Sequence, residues 1–289
     1  MTDTPPEQKQ ASYTAQESPD TVGLGRTAGQ RTAEIFAGLR AEMMPSPETV
    51  ALSRLSGRII ARLLMRMGKP ELFNFVPVRL GGFKGLVEKE FAGKASDDAV
   101  IVEIGSGFSP RSLQLARDLP NVQVIEIDLP DVIEEKYKRL SRVAGLEIPS
   151  NLSSRTADLG VTPLTEVLKG QKVDVVSAEG LLPYFTLEEI TRIAHDIRAS
   201  LKPGGVFIAD LGYVTPQGAQ QAGGVVSLFR RQTRTSPGSV QDEETALKLF
   251  RDAGYSEVKL HRMPEVAEMF DLPRPAPDVL FFMVAKEQG

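Results

Sequence analysis

From residue 99 to the end of the chain, short apolar runs alternate with segments of helical length and amphipathic pattern. The runs predict strands over 99–104, 122–127, 154–157, 173–178, 205–210, 258–262 and 279–285. Between them the pattern predicts helices over 110–118, 132–140, 163–168, 186–200 and 242–253. Strands joined through helices of this size need crossover connections, which make a parallel sheet covered on both faces. The final pair has no long helix between its members and is expected to run antiparallel. The expected fold is therefore α/β and Rossmann-like, with a seven-stranded, mostly parallel sheet whose last strand is antiparallel.

The chain ahead of this region reads differently. Residues 1–26 are polar and proline-bearing and are expected to be a flexible tail. Helices are predicted over 27–44, 47–67 and 78–91, giving a helical cap over 27–96 and a catalytic domain over 97–289. Within 47–67, Leu52, Leu55, Ile59, Leu63 and Met67 form an apolar stripe expected to dock against a core. Arg54, Arg58, Arg62 and Arg66 recur every four residues on the same helix, with no acidic residue between Thr49 and Lys69. The preferred reading is a solvated face or pairing with carboxylates elsewhere, ahead of a surface for an acidic partner or a membrane.

Composition removes several chemistries. The 289 residues include no cysteine, which excludes disulfides, thiolate nucleophiles and cysteine-bound zinc. With two histidines, a multi-histidine metal site is not expected. The net charge of -4 does not suit a general nucleic-acid binder. No apolar run approaches the roughly 20 residues needed to cross a bilayer, and the first residues lack a secretory pattern. The expectation is a cytoplasmic protein with a small-molecule substrate and no metal, nucleic-acid partner or membrane insertion. The oligomeric state is left open.

The first strand ends Val102-Glu103-Ile104-Gly105-Ser106-Gly107-Phe108-Ser109-Pro110. Gly105 and Gly107 permit a tight turn and close approach of a ligand to the backbone. In such sheets ligands bind at the carboxyl ends of the strands. The second strand ends Glu126-Ile127-Asp128, and an acid about twenty residues after the glycines is placed to accept hydrogen bonds from ribose hydroxyls. Asp128 is preferred over Glu126 because it lies nearer the strand's end. A nicotinamide-dependent dehydrogenase shares this arrangement, but its third glycine is replaced here by Pro110.

Three segments carry a closer resemblance: Gly105-Ser106-Gly107-Phe108-Ser109-Pro110-Arg111, Glu126-Ile127-Asp128-Leu129-Pro130 and Ala178-Glu179-Gly180-Leu181-Leu182-Pro183-Tyr184-Phe185. A Lys202-Pro203-Gly204-Gly205 segment, read as a turn before the fifth strand, is common to many methyltransferases. Over residues 97–286 the chain resembles class I S-adenosylmethionine methyltransferases. More narrowly it is similar to the leucine carboxyl methyltransferase family and its polyketide O-methyltransferase relatives. The resemblance implies S-adenosylmethionine as cofactor, held by Arg79, Glu103, Gly105, Ser106, Gly107, Asp128, Leu129, Asp158, Leu159 and Glu179. Within that set it gives adenine to Asp158 and Leu159, the methionine part to Glu179, and the cofactor carboxylate to Arg79.

Methyl transfer asks the protein mainly for proximity and alignment. A carboxylate acceptor is ionised at neutral pH and needs no base, whereas a phenol, with a pKa near ~10, usually does. Tyr184, Tyr213 and His261 are the candidates for lining the acceptor pocket, and neither His195 nor His261 stands out as a base. The leading expectation is methylation of a carboxylate on a small acidic metabolite. The alternatives are a phenol or alcohol O-methyltransferase and a non-catalytic cofactor-binding protein. The long connection from Gly212 to Ser239, with Arg230, Arg231 and Arg234, is expected to act as a lid or substrate-binding segment.

Overall fold

The structure is a computed structural model, and it describes residues 33–68, 73–92, 98–212, 240 and 242–288. The expected tail, Tyr213 and the arginines of the connection lie outside the described residues. Seven strands form one sheet: β1 (Val100–Ile104), β2 (Gln123–Asp128), β3 (Leu152–Thr156), β4 (Val173–Ala178), β5 (Leu201–Gly212), β6 (Glu257–Arg262) and β7 (Leu280–Lys286). Their order is β3-β2-β1-β4-β5-β7-β6. The pairs among β1 to β5 are parallel, and β7 runs antiparallel to both β5 and β6. The chain reverses its direction across the sheet between β1 and β4, which is where such sheets bind ligands.

Helices cover both faces. α1 is helical over 33–43 among the described residues. It is followed by α2 (Pro47–Leu52), α3 (Leu55–Met67) and α4 (Phe75–Phe91). Then come α5 (Arg111–Asp118), α6 (Pro130–Leu140), α7 (Leu164–Val167), α8 (Leu187–Ser200), α9 (Glu243–Asp252) and α10 (Met263–Met269). Val102, Ile104, Val176 and Phe207 pack with Ile190, Ile193 and Phe250 on one face. Ile101, Val124, Val175 and Ile208 pack with Phe83, Val87, Leu115 and Val266 on the other. Alternation along each strand thus fills two cores, and α4 belongs to the second of them. Among the described residues no helix is long and apolar enough to cross a membrane.

Two local expectations are corrected. Residues 47–67 are two helices, because Ser53 and Arg54 adopt extended backbone and the Ser53 hydroxyl donates to Val50 O at 2.8 Å. The break resets the helix phase. Leu55, Ile59 and Leu63, expected to face a core, are 68%, 55% and 56% exposed. The buried side of α3 is instead Gly57, Ala61 and Leu64. The reason is a close helix crossing: a Cβ added to Gly38 on α1 would lie 2.3 Å from Gly57 O. Small residues, not the large apolar row, face the neighbour. Three of the row's four arginines pair with carboxylates elsewhere: Arg58 and Arg62 each reach Glu42 at 2.7 Å, and Arg54 reaches Glu34 and Glu135 at 3.3 Å. The second correction concerns Lys202-Pro203-Gly204-Gly205, which lies inside β5. Val173 pairs with Leu201 but Val175 with Val206, so the segment is absorbed as a bulge.

Candidate active site

Strand alternation aims Glu103 of β1, Glu179 just beyond β4, and Asp210 of β5 at the face covered by α4 and α5. All three are carboxylates at the carboxyl ends of adjacent strands. Three arginines meet them. Arg111 opens α5 and bridges two acids, with Nη2 2.5 Å from Glu103 Oε1 and Nη1 hydrogen-bonded to Glu179 Oε2. The Ser112 hydroxyl donates to the other Glu103 oxygen. Arg79 of α4 donates from Nε to Asp210 Oδ2 at 2.6 Å and has Glu179 Oε1 at 3.8 Å. Arg40 of α1 donates from Nη2 to Glu179 Oε1 at 2.7 Å.

The cluster is buried, so each charge depends on its partners. Arg111 lies over the Phe83 ring at 4.9 Å, and Arg79 lies 5.5 and 5.4 Å from the rings of Phe36 and Phe75. Burial alone would raise the pKa of Glu179. Arg40, Arg111 and Arg79 outweigh it and hold the carboxyl well below the usual carboxylate range. Asp210 also accepts the Gly180 N–H at 2.7 Å, which fixes the backbone after Glu179. Gly180 has φ 71°, and a Cβ there would meet Arg79 at 2.8 Å, so the turn requires glycine.

Beside this cluster lies the turn from β1 into α5. Gly105 and Gly107 have φ of 63° and 47°, in the left-handed region. The Gly105 and Ser106 N–H groups donate to Ile127 O at 2.8 and 3.3 Å, tying the turn to β2. Asp128 accepts the Gly107 N–H at 2.6 Å on one oxygen and the Leu129 N–H at 2.7 Å on the other. An ionised carboxylate offers about four acceptor sites, so each oxygen keeps capacity for a further donor. Burial pushes the Asp128 pKa up, and the two N–H bonds oppose this only in part. Glu126, the weaker candidate, points into the core and is paired with Lys136.

These residues fit the adenosyl cofactor. A Cβ added to Gly107 would meet nothing within 4 Å, so open space lies against the backbone there. Ser106 Oγ is buried and, among the described residues, has no hydrogen-bond partner. Beyond β3, Asp158 accepts the Gly160 N–H at 3.0 Å, and Leu159 packs partly against the core.

The remaining sequence candidates separate. Tyr184, in the short turn Leu182–Tyr184, lies close enough to Arg79 to act on it electrostatically. His261 is on the edge strand β6, where burial lowers its pKa and its charged neighbours are Glu265, Lys89, Lys259 and Glu90. Lys89 and Glu90 are at the far end of α4 from Arg79, about 15 Å along the axis at 1.5 Å per residue. His195 is on α8 with its side chain 64% exposed. Sequence reasoning gave no role to Arg40, Arg111 or Asp210. Asp210 ends the strand read from sequence over 205–210 and Arg111 follows Pro110, and those positions were the available signal.

A family model described as leucine carboxyl methyltransferase matches residues 29–198, more than half of the chain. O-methyltransferase bfoD of Aspergillus brasiliensis is 27% identical over 125 residues, which cover 43% of this chain and 28% of that protein. The match thus spans under a third of that relative's length. Among solved structures, a Thermobifida fusca protein assigned provisionally to the methyltransferases superposes with a TM-score of 0.61 at 16% identity, covering 89% of this chain and 94% of the other. An O-methyltransferase family protein from Burkholderia thailandensis gives 0.53 at 16%, covering 94% and 74%. A family 2 O-methyltransferase from Planctomyces limnophilus, solved with apigenin, gives 0.53 at 13%, covering 86% and 67%. At these identities the structures establish the fold.

Proposed function

Because the chain belongs to the leucine carboxyl methyltransferase family, with S-adenosylmethionine as cofactor, we propose that it methylates a carboxylate of a small acidic metabolite to a methyl ester. The observation that carries this reading concerns proton acceptors. Both histidines of the chain lie away from the strand-end cluster, one exposed and one on the edge strand. The three carboxylates of the cluster are held by arginines. A site furnished in this way suits an acceptor that arrives already ionised.

On this reading the Gly105–Gly107 turn cradles the cofactor, and the Ser106 hydroxyl gains the partner it lacks within the described chain. Asp128 accepts from the ribose hydroxyls, Leu129, Asp158 and Leu159 border the base, and Glu179 and Arg79 face the methionine end. Glu103 acts at one remove, by holding Arg111 in place. When bound, the cofactor supplies a methyl group on a positively charged sulfur, so the leaving group is already activated. The protein's part is to hold the acceptor oxygen in line and to exclude water. Tyr184 borders the acceptor side, and helices α1 to α3 roof the site as a cap.

The test is the stability of the product. Label transferred from S-[methyl-3H]adenosylmethionine should be released by mild alkali as volatile methanol, as expected of an ester. A base-stable product would be an ether and would move the chain to phenol or alcohol methylation. Binding of S-adenosylhomocysteine with no transfer to any acid tested would favour a non-catalytic binding protein.

A further inference from the structure

The outer side of α3 exposes four large apolar side chains, Leu55, Ile59, Ile60 and Leu63. A contiguous apolar face left in water on one helix marks an interaction surface. No acidic residue lies between Thr49 and Lys69. At 3.6 residues per turn, Arg62 and Arg66 project within about 20° of Leu55, so cations and apolar groups share one side of the helix. The pairing of the arginines is incomplete. Arg58 and Arg62 share Glu42, and Arg54 shares Glu34 and Glu135 with Arg139 of α6. Arg66 is exposed and has no ion pair among the described residues. Five guanidiniums thus stand against three carboxylates, a local positive excess on a chain whose net charge is -4.

We propose that this side of α3 docks the protein on an anionic membrane surface, its apolar side chains in the boundary between headgroups and acyl chains and Arg54, Arg62 and Arg66 against lipid phosphates. That boundary offers apolar and anionic surroundings at nearly one depth, which suits a face where the two kinds of side chain are interleaved. The arginine stems are themselves apolar, so they lie with the leucine and isoleucines while the guanidiniums reach outward. A second copy of the chain answers the apolar row but not the charge: two such faces pressed together set arginine against arginine, with no acid on either. An acidic protein answers the charge but must match each apolar position as well. Docking asks nothing of the fold. The inner side of α3 stays packed on the cap, with Ala61 and Leu64 against Ile35 and Leu39, and Gly57 against Gly38. Because α1 carries Arg40 into the strand-end cluster, the docked face lies one helix from the candidate site.

The chain has no tryptophan, so a single one reports its own surroundings. The experiment titrates full-length Ile59→Trp with vesicles of phosphatidylcholine, alone or mixed in equal parts with phosphatidylglycerol. Met269→Trp, on α10 beside Lys89 at the far end of α4, is the control. With the anionic vesicles the emission of Ile59→Trp should shift to the blue and be quenched by brominated acyl chains, and that of Met269→Trp should not move. The unsubstituted protein should sediment with anionic vesicles, less so as salt rises, and not with phosphatidylcholine alone. Arg62→Gln with Arg66→Gln should weaken this binding about 10- to 30-fold, at roughly five-fold per cation. Ile59→Ser with Leu63→Ser should weaken it at least about 10-fold. Both pairs are exposed, and thermal unfolding checks that they fold. Equal binding to both vesicle types, no binding to either, an unmoved emission from Ile59→Trp, or full binding by Ile59→Ser with Leu63→Ser overturns the assignment. Binding to polyglutamate without binding to vesicles also overturns it, in favour of an acidic protein partner. So does a dimer in analytical ultracentrifugation that Ile59→Ser with Leu63→Ser dissolves, in favour of a second copy.

Discussion

At the ends of β1, β4 and β5 each buried carboxylate meets a guanidinium, whereas over the turn from β1 into α5 a buried hydroxyl lacks a partner among the described residues and Asp128 keeps acceptor capacity. The two regions are neighbours on one strand-end surface and share β1. The first has its charges paired within the chain, so breaking a pair there costs the ligand-free protein stability, whatever Glu179 and Arg79 also do for a ligand. The second is incomplete without a ligand, and its side chains should act on affinity. Substitutions can separate the two roles.

The largest effect on stability is expected from Arg111→Met. It leaves Glu103 and Glu179 buried with a cation removed, and breaking a buried pair costs about 3–5 kcal/mol. Denaturant unfolding should register that loss, and an unchanged midpoint would erase the distinction between the regions. Acid should act in the same direction. The pKa of Glu179 is depressed in the fold, so its contribution is present above the unfolded value and is lost as pH falls through the folded one.

Asp128→Asn should weaken S-adenosylhomocysteine by about 1.5–3 kcal/mol, and because the amide offers one acceptor oxygen where the carboxylate holds two backbone N–H groups, it should also cost the ligand-free protein about 1–3 kcal/mol. The pH dependence sharpens this. Ribose hydroxyls donate to the ionised form, so affinity is full above the raised pKa of Asp128 and declines as pH falls through it. The decline should begin above the ordinary aspartate value of about 3.9 and be absent from Asp128→Asn. A titration curve common to both proteins would assign the ribose contact elsewhere.

The sheet was legible because its signal is local. Apolar runs of strand length, separated by amphipathic helices, fix order and direction through the handedness and length of the crossovers. The glycine turn after β1 and the acid at the end of β2 were legible as geometry for the same reason, since each is adjacent in sequence to its own strand end. The partners of Glu179 were not. Arg111 is 68 residues away and Arg40 139, and a strand-end carboxylate looks alike in sequence whether its partner is a ligand or a distant arginine. The face of α3 was misread because periodicity reports an apolar side without saying what covers it. The contact between Gly38 and Gly57 is decided by tertiary approach of two backbones.

Smaller effects refine the contrast. Ser106→Ala removes a buried hydroxyl that has no partner among the described residues, so the ligand-free protein should keep its stability or gain up to about 1 kcal/mol. The same variant should bind S-adenosylhomocysteine more weakly, and opposite signs in melting and calorimetry are the expected signature. Ile59→Ser, on the exposed side of α3, should change stability by no more than about 0.5 kcal/mol. A larger loss on thermal unfolding would mean that this face is covered in solution.

The most direct test is calorimetric titration of S-adenosylhomocysteine into Gly107→Asn beside the unsubstituted protein. Asparagine tolerates the left-handed φ of 47° better than a branched residue, so the fold should persist. Its side chain enters the open space against the turn. The account predicts one-to-one binding to the unsubstituted protein and none to a variant with near-native melting. Equal affinity in a folded variant would contradict it, because the cofactor would then lie somewhere other than over this turn.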